Sequence, residues 1–132
     1  IDYLTPVTFH SLLSDLEMRR LEGPDFYGHS MALGSVDVTL WDLTRAYMTL
    51  ANSGEFRELT FQEEKPVTKT ISTFSPQISW MISHILSEKE NRHMTFGIQS
   101  SLSTDSWSAV KTGTSKDMRD NWCMGYTENY VI

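Results

Sequence analysis

Trp107-Ser108-Ala109-Val110-Lys111-Thr112-Gly113-Thr114-Ser115 is the stretch whose reading decides the fold of this protein. Its aromatic and β-branched lead-in suits a strand. The strand runs into a small, hydroxyl-rich end that carries one cation and a glycine able to let another backbone come close. After it come a turn over residues 116–120, a second strand over 121–126, a turn over 127–129 and the start of a third strand at Tyr130-Val131-Ile132. Most of what precedes it reads as helix. Helices first, then an antiparallel meander with short links, predict an α+β arrangement.

Working outward, Phe9, Leu12, Leu13, Leu16 and Leu21 recur at helical spacing and predict an amphipathic helix over residues 9–21. Thr8 is its expected N-cap, and Gly23-Pro24 its expected stop. Residues 25–35 read as a glycine-punctuated loop. Thr39 and Asp42 stand at capping-box spacing, with Asp in place of Glu. Leu40, Leu43, Tyr47 and Leu50 continue an apolar stripe to Ala51, and Asn52-Ser53-Gly54 closes it. Residues 56–61 suit a short strand or hairpin arm, and Glu63-Glu64-Lys65-Pro66 a charged surface connection. Ser75-Pro76 reads as an N-cap followed by proline at the first helical position. Ile78, Met81, Ile82, Ile85 and Leu86 give that helix its apolar face, and residues 91–105 read as polar, irregular, exposed and mobile.

The chain has 132 residues, 39% hydrophobic and 21% charged, which suits one soluble domain with a single core. A net charge of −6 argues against a nucleic-acid partner, whose binding surface is normally basic. No apolar run approaches the roughly 20 residues of a membrane span. The start, Ile1-Asp2-Tyr3-Leu4-Thr5-Pro6, has neither the basic nor the apolar region of a signal peptide. Both ends are expected to be cut, so that the chain is part of a longer protein. Cys123 is the only cysteine and is expected to be a small buried hydrophobe.

His10, His29, His84 and His93 are scattered, with no close pair and no nearby cysteine pair, so no metal or other cofactor is expected. No serine sits in a Gly-x-Ser-x-Gly turn, which leaves a Ser-His-Asp triad without support. A phosphate-binding loop needs its lysine after the glycine, whereas Lys111 precedes Gly113. Lys111-Thr112-Gly113-Thr114 remains, either as a hairpin end with a solvated lysine or as one side of an active site.

The sequence around it decides between these. Val110-Lys111-Thr112-Gly113-Thr114-Ser115, then Arg119-Asp120-Asn121-Trp122 and Met124-Gly125-Tyr126-Thr127, resemble the Lys-Thr-Gly motif and following strand of penicillin-binding transpeptidases. Upstream, Met31-Ala32-Leu33-Gly34-Ser35, Val38-Thr39-Leu40-Trp41-Asp42-Leu43 and Ala46-Tyr47-Met48-Thr49-Leu50-Ala51-Asn52-Ser53-Gly54 resemble a further segment of that family in the right order. The resemblance covers roughly residues 9–132 and is most specific to the class A, bifunctional members. It implies that residues 1–132 are the C-terminal portion of one transpeptidase domain, a partial penicillin-binding and serine β-lactamase-like fold.

In that family a serine of a Ser-x-x-Lys motif attacks the D-alanyl-D-alanine bond of a peptidoglycan stem peptide, and β-lactams trap the same serine. The resemblance assigns Lys111 positive potential beside the nucleophile, and the Thr114 backbone N–H one of two oxyanion-hole donors. It assigns the substrate carboxylate to the Thr112 and Thr114 hydroxyls, with Ser115 extending the site and Gly113 permitting close approach. It also implies a parent anchored in the bacterial inner membrane, with a glycosyltransferase domain and a periplasmic transpeptidase. Alternatives within the same fold are a serine β-lactamase and a β-lactam-sensing module.

The chain departs from the family pattern in one respect. Its only Ser-x-x-Lys is Ser108-Ala109-Val110-Lys111, inside the motif strand, and it has no Ser-x-Asn. Residues three apart on a strand face opposite ways and lie about 10 Å apart. This match is therefore spurious, and the chain alone is expected to be inactive, soluble, and prone to self-association through exposed strand edges.

Overall fold

The structure is a computed structural model that describes residues 4–62, 70–97 and 100–132. Helix α1 spans Pro6–Asp15, α2 Pro24–Tyr27, α3 Leu40–Ala51, α4 Pro76–Ser87 and α5 Glu90–Phe96; the strands are β1 Glu55–Arg57, β2 Thr70–Ser72, β3 Ala109–Thr114 and β4 Asn121–Tyr126. The α+β class is as expected. The strands form two antiparallel pairs, β1 with β2 and β3 with β4. The third arm of the meander is brief: Gly125 and Ile132 exchange backbone hydrogen bonds at 2.8 Å each way, beside a bridge between Tyr126 and Val131.

Helix α1 begins and ends earlier than its apolar spacing predicts. Thr5, not Thr8, is the N-cap; its Oγ1 accepts from the Thr8 N–H at 3.2 Å, and Pro6 occupies the first turn. The helix stops at Asp15, well before Gly23, because the backbone turns left-handed at Glu17 (φ 52°) and Arg20 (φ 62°). Gly23-Pro24 then starts α2 instead of ending a helix, and Gly28–Leu33 coils as a 3-10 helix where a loop was expected.

Both capping predictions for α3 and α4 match the structure. Thr39 Oγ1 accepts from the Asp42 N–H at 3.1 Å, and Ser75 caps α4 through the Ile78 N–H at 3.3 Å. The stripes are another matter. The residues that α3 buries are Asp42, Arg45 and Thr49, while Leu40 is exposed; α4 buries Ser79 and leaves Ile78, Trp80, Met81 and Ile85 exposed. Residues 90–96 form helix α5, where irregular chain was expected. Of the expected arm over 56–61, only Phe56 and Arg57 are strand, at the end of β1. The charged connection at Glu63-Glu64-Lys65-Pro66 lies outside the described residues.

The polar stripe of α3 has a reason. Arg45 donates from Nη1 to Glu17 Oε2 at 3.2 Å, and from Nη2 to the Glu17 carbonyl at 2.7 Å and Asp42 Oδ1 at 3.1 Å. Arg19 Nε reaches the same Asp42 oxygen at 3.1 Å, and Thr39 Oγ1 donates to the other at 2.7 Å. The guanidinium also lies over the Phe56 ring, 5.1 Å from its centroid. A buried charge is tolerable only when it is paired and hydrogen-bonded, and this cluster pins the left-handed turn at Glu17 onto α3. Burial pushes the Asp42 carboxyl up, but the Thr39 hydrogen bond and the bond and charge of Arg19 outweigh it, holding the group below the usual carboxylate range.

The apolar core comprises Leu16, Met31, Phe56, Ala109, Val110, Met124 and Tyr126. Four of the seven belong to β3 and β4, so the core converges on the motif strand. Tyr126 makes the junction: its hydroxyl lies 2.8 Å from Ser83 Oγ of α4, and its ring meets Tyr47 of α3 at 6.3 Å and Trp107 at 6.1 Å. Cys123, expected to be buried, is exposed. It alternates with Met124, and only Met124 faces the helices.

Candidate active site

Lys111, Thr112, Gly113 and Thr114 are the last four residues of β3, and Ser115 opens the turn. The strand ends there because Ser115 closes the connection: its N–H donates to the Asp120 carbonyl at 3.0 Å and its Oγ accepts from the Asp120 N–H at 2.9 Å. In β3–β4 register Lys111 stands opposite Met124, Thr112 opposite Cys123, Gly113 opposite Trp122 and Thr114 opposite Asn121. Alternation puts Lys111 and Gly113 on one face and Thr112 and Thr114 on the other. The predicted residues therefore do not form a cluster on one face. They share the edge of the strand.

The register also decides which way each backbone group points. In an antiparallel ladder, every second residue exchanges hydrogen bonds with the partner and the residues between point outward. Ser115 bonds to Asp120, so the bonded positions are Gly113, Lys111 and Ala109, opposite Trp122, Met124 and Tyr126. The N–H and C=O groups of Val110, Thr112 and Thr114 consequently leave the sheet on the side away from β4. Gly125 of β4, which pairs with Ile132 on the opposite side, follows the same alternation. Among the described residues, no strand pairs with that edge of β3.

Two of the outward carbonyls carry cations. Lys111 Nζ donates to the Thr112 carbonyl, and Arg92 Nη1 of α5 reaches the Val110 carbonyl at 3.4 Å. The Thr112 N–H and both backbone groups of Thr114 have no partner among the described residues. Lys111 is exposed, and no carboxylate of the described residues pairs with it. Apart from its chain neighbours, no atom of the described residues lies within 4 Å of a Cβ added at Gly113, so this glycine answers no packing demand among them. Chemically, the edge is a row of aligned N–H donors next to positive charge, a setting for an extended chain that ends in an anion.

Ser108, the false match to a nucleophile, bonds through Oγ to Thr104 Oγ1 at 2.7 Å, on the rim of a small polar concavity with Ser87, Lys89 and Arg92. That concavity does not include Lys111 or the residues after it. The apolar groove of Pro76, Gln77, Trp80 and Met81 on α4 is likewise separate from the motif. Among the described residues, no group of three or more His, Cys, Asp or Glu side chains converges as for a metal. His10 Nε2 meets the Glu22 carbonyl at 2.9 Å, and His84 stacks on Trp80 with ring centroids 5.3 Å apart.

Sequence reasoning missed Arg92, Ser83 and the anchoring role of Tyr126. Arg92 belongs to a stretch without periodicity, and nothing local ties it to Val110. Tyr126 was legible as a strand residue, but its partners Ser83 and Tyr47 are 43 and 79 positions away.

Helices packed on an antiparallel pair, with a Lys-Thr-Gly strand on a free edge, define the class of the penicillin-binding and serine β-lactamase-like folds. Residues 22–131 match the model of the penicillin binding protein transpeptidase domain, and the chain belongs to that family. It is 29% identical over 103 residues to penicillin-binding protein 1C of Escherichia coli (strain K12), an alignment covering 78% of this chain and 13% of that protein. The chain thus spans about an eighth of the length of that relative. No helix among the described residues is long and apolar enough to cross a membrane.

Proposed function

We propose that this chain supplies the substrate-clamping edge of a peptidoglycan D,D-transpeptidase, whose serine forms an acyl-enzyme with stem peptides and with β-lactams. The observation that carries the reading is the outward Thr112 and Thr114 N–H pair beside Lys111, on an edge that no strand of the described residues covers. A stem peptide adds to this edge as an extra strand. The Thr112 and Thr114 hydroxyls hold its terminal carboxylate, Lys111 supplies positive potential beside the nucleophile, Gly113 leaves room for the peptide backbone, and Ser115 borders the far end. The Thr114 N–H polarises the scissile carbonyl, a contribution of roughly 3 kcal/mol in comparable acyl transfers.

The nucleophile lies outside this sequence, since Ser-x-x-Lys fails at Ser108 and Ser-x-Asn does not occur. The whole protein, in this reading, is a class A enzyme with a glycosyltransferase domain, anchored in the inner membrane with its transpeptidase in the periplasm. The 132-residue chain by itself forms no acyl-enzyme. Its exposed Ile78, Trp80, Met81 and Ile85, together with the open edge of β3, favour self-association of the isolated chain.

Mass spectrometry after incubation with a labelled penicillin tests the reading. The full-length protein is expected to gain one stoichiometric adduct and the 132-residue chain none. An adduct on the short chain, or none on the full-length protein, overturns it. Sedimentation of the short chain checks self-association, and a monomer persisting at high concentration counts against it.

A further inference from the structure

We infer that Arg92 is a specificity-determining residue that closes the binding edge of β3 at Val110, so that the edge accepts only the end of a peptide. The inference rests on the transpeptidase reading of that edge and adds to it a residue outside the Lys-Thr-Gly motif.

Arg92 Nη1 carries two hydrogens and reaches two carbonyls. It donates to Leu86 O, at the C-terminal end of α4, at 2.7 Å, and to Val110 O at 3.4 Å. The first bond is short and anchors the guanidinium to a helix end, where a cation is favoured. The second places it on the outward side of β3, since the Val110 carbonyl points away from β4. A strand added to this edge needs a donor N–H at every second carbonyl of β3. At Val110 that position is already taken by an anchored side chain.

The edge that remains is short. Thr112 and Thr114 offer two N–H donors, Thr114 one carbonyl, and the Val110 end is flanked by the cations of Arg92 and Lys111. A peptide that enters from the Thr114 side and runs antiparallel to β3 reaches the cations with its last residue. A terminal carboxylate there meets N–H donors and positive charge. A chain that continues past this residue instead meets the guanidinium, and must displace it from the Val110 carbonyl. With Lys111 on the Thr112 carbonyl, Arg92 on the Val110 carbonyl thus makes the edge a site for chain ends.

The test uses the full-length protein and three synthetic peptides: one ending in D-Ala-D-Ala with a free carboxylate, its C-terminal amide, and the same peptide extended by two glycines. Acyl-enzyme formation is followed for wild type, Arg92→Ala and Arg92→Gln, with circular dichroism as the check that each variant is folded. Wild type is expected to prefer the free acid strongly over the extended peptide, and Arg92→Ala to narrow that ratio at least about tenfold, chiefly through KM. Arg92→Gln, which retains hydrogen-bonding capacity without charge, is expected to keep part of the discrimination against extension while losing discrimination against the amide. It also decides the matter if Arg92→Ala does not fold. Equal use of acid and extended peptide by wild type overturns the inference, as does an unchanged ratio in folded variants. Failure of wild type to bind penicillin removes the underlying reading and the inference together.

Discussion

The Tyr126 hydroxyl and Ser83 Oγ meet at 2.8 Å, joining the last residue of β4 to the middle of α4. Ser83 Oγ donates its own proton to the Ser79 carbonyl at 2.7 Å, so Tyr126 is the donor in the pair. The bond holds the motif sheet against the helix through a phenol that is 2% exposed. Tyr126→Phe keeps the ring contacts and removes only the hydroxyl, and is expected to cost about 1 kcal/mol in denaturant unfolding. Ser83→Ala strands the buried phenol and is expected to cost at least as much.

The same phenol predicts an alkaline limb. Burial raises both Tyr47 and Tyr126 above the usual phenol range. A raised folded value means that the unfolded chain gives up its proton first. Stability is therefore full below the ordinary tyrosine pKa, and is lost as pH rises through the folded values. Urea unfolding across this range is expected to show the loss. Tyr47→Phe and Tyr126→Phe should each flatten it.

Asp42 sets the acid limb with the opposite sign. Its carboxyl is held below the usual range, so its stabilisation is present above the ordinary carboxylate pKa and fades as pH falls through the lower, folded value. Asp42→Ala leaves the buried Arg45 without one of its two carboxylate partners and is expected to cost about 3–5 kcal/mol. Substituting Asp42 and Arg45 together with apolar residues of similar volume should cost less than Asp42→Ala alone. A double-mutant cycle read by thermal unfolding decides this.

Two glycines separate folding from function. Gly54 ends α3 at φ 92°, and a Cβ there falls 2.1 Å from the Phe74 carbonyl oxygen. Gly54→Ala is expected to destabilise by about 3 kcal/mol or to prevent folding. Gly113 has open space at the same point. Gly113→Ala should leave the unfolding midpoint nearly unchanged and still slow acylation of the full-length protein by penicillin.

The outward N–H of Thr114 can be removed without breaking the β3–β4 ladder. Proline is tolerated where a strand's N–H faces away from its partner. Thr114→Pro in the full-length protein is expected to fold and to acylate about 100- to 1,000-fold more slowly, the loss seen when one oxyanion donor is removed. Gly113→Pro, one residue earlier, deletes a ladder bond and should destabilise the sheet. Circular dichroism and penicillin labelling read the two effects apart. Similar acylation by Thr114→Pro and wild type would remove the oxyanion role.

Several local signals match the structure, although the Thr8 cap and the Gly23-Pro24 stop do not. The Thr39 and Ser75 caps, the Asn52-Ser53-Gly54 helix end, the β3–turn–β4 hairpin and the α+β order each depend on residues within a few positions of one another. The Lys-Thr-Gly motif is of this kind, because its residue types and spacing survive in any register. Sequence periodicity misled where a long-range partner outweighed it. The stripe of Leu40, Leu43, Tyr47 and Leu50 yielded the inner face of α3 to Asp42, Arg45 and Thr49, since Glu17, Arg19 and Phe56 come from elsewhere to satisfy the charges. The helix expected over 9–21 stopped at Asp15 because the Arg45 guanidinium grips Glu17 from another element.

The sequence by itself determined the family, the α+β order of helices before hairpin, and the strand that carries the Lys-Thr-Gly motif. It contains the Lys-Thr-Gly pattern in the right strand context and lacks a usable Ser-x-x-Lys, and both are statements about neighbours in the chain. Only the tertiary structure decided which backbone groups of β3 face outward and that Arg92 reaches Val110. These follow from the pairing register and from a helix end 18 residues before the strand it touches. The physical reason is common to them all: a hydrogen bond fixes direction in space, and local spacing carries no record of the partner that makes it.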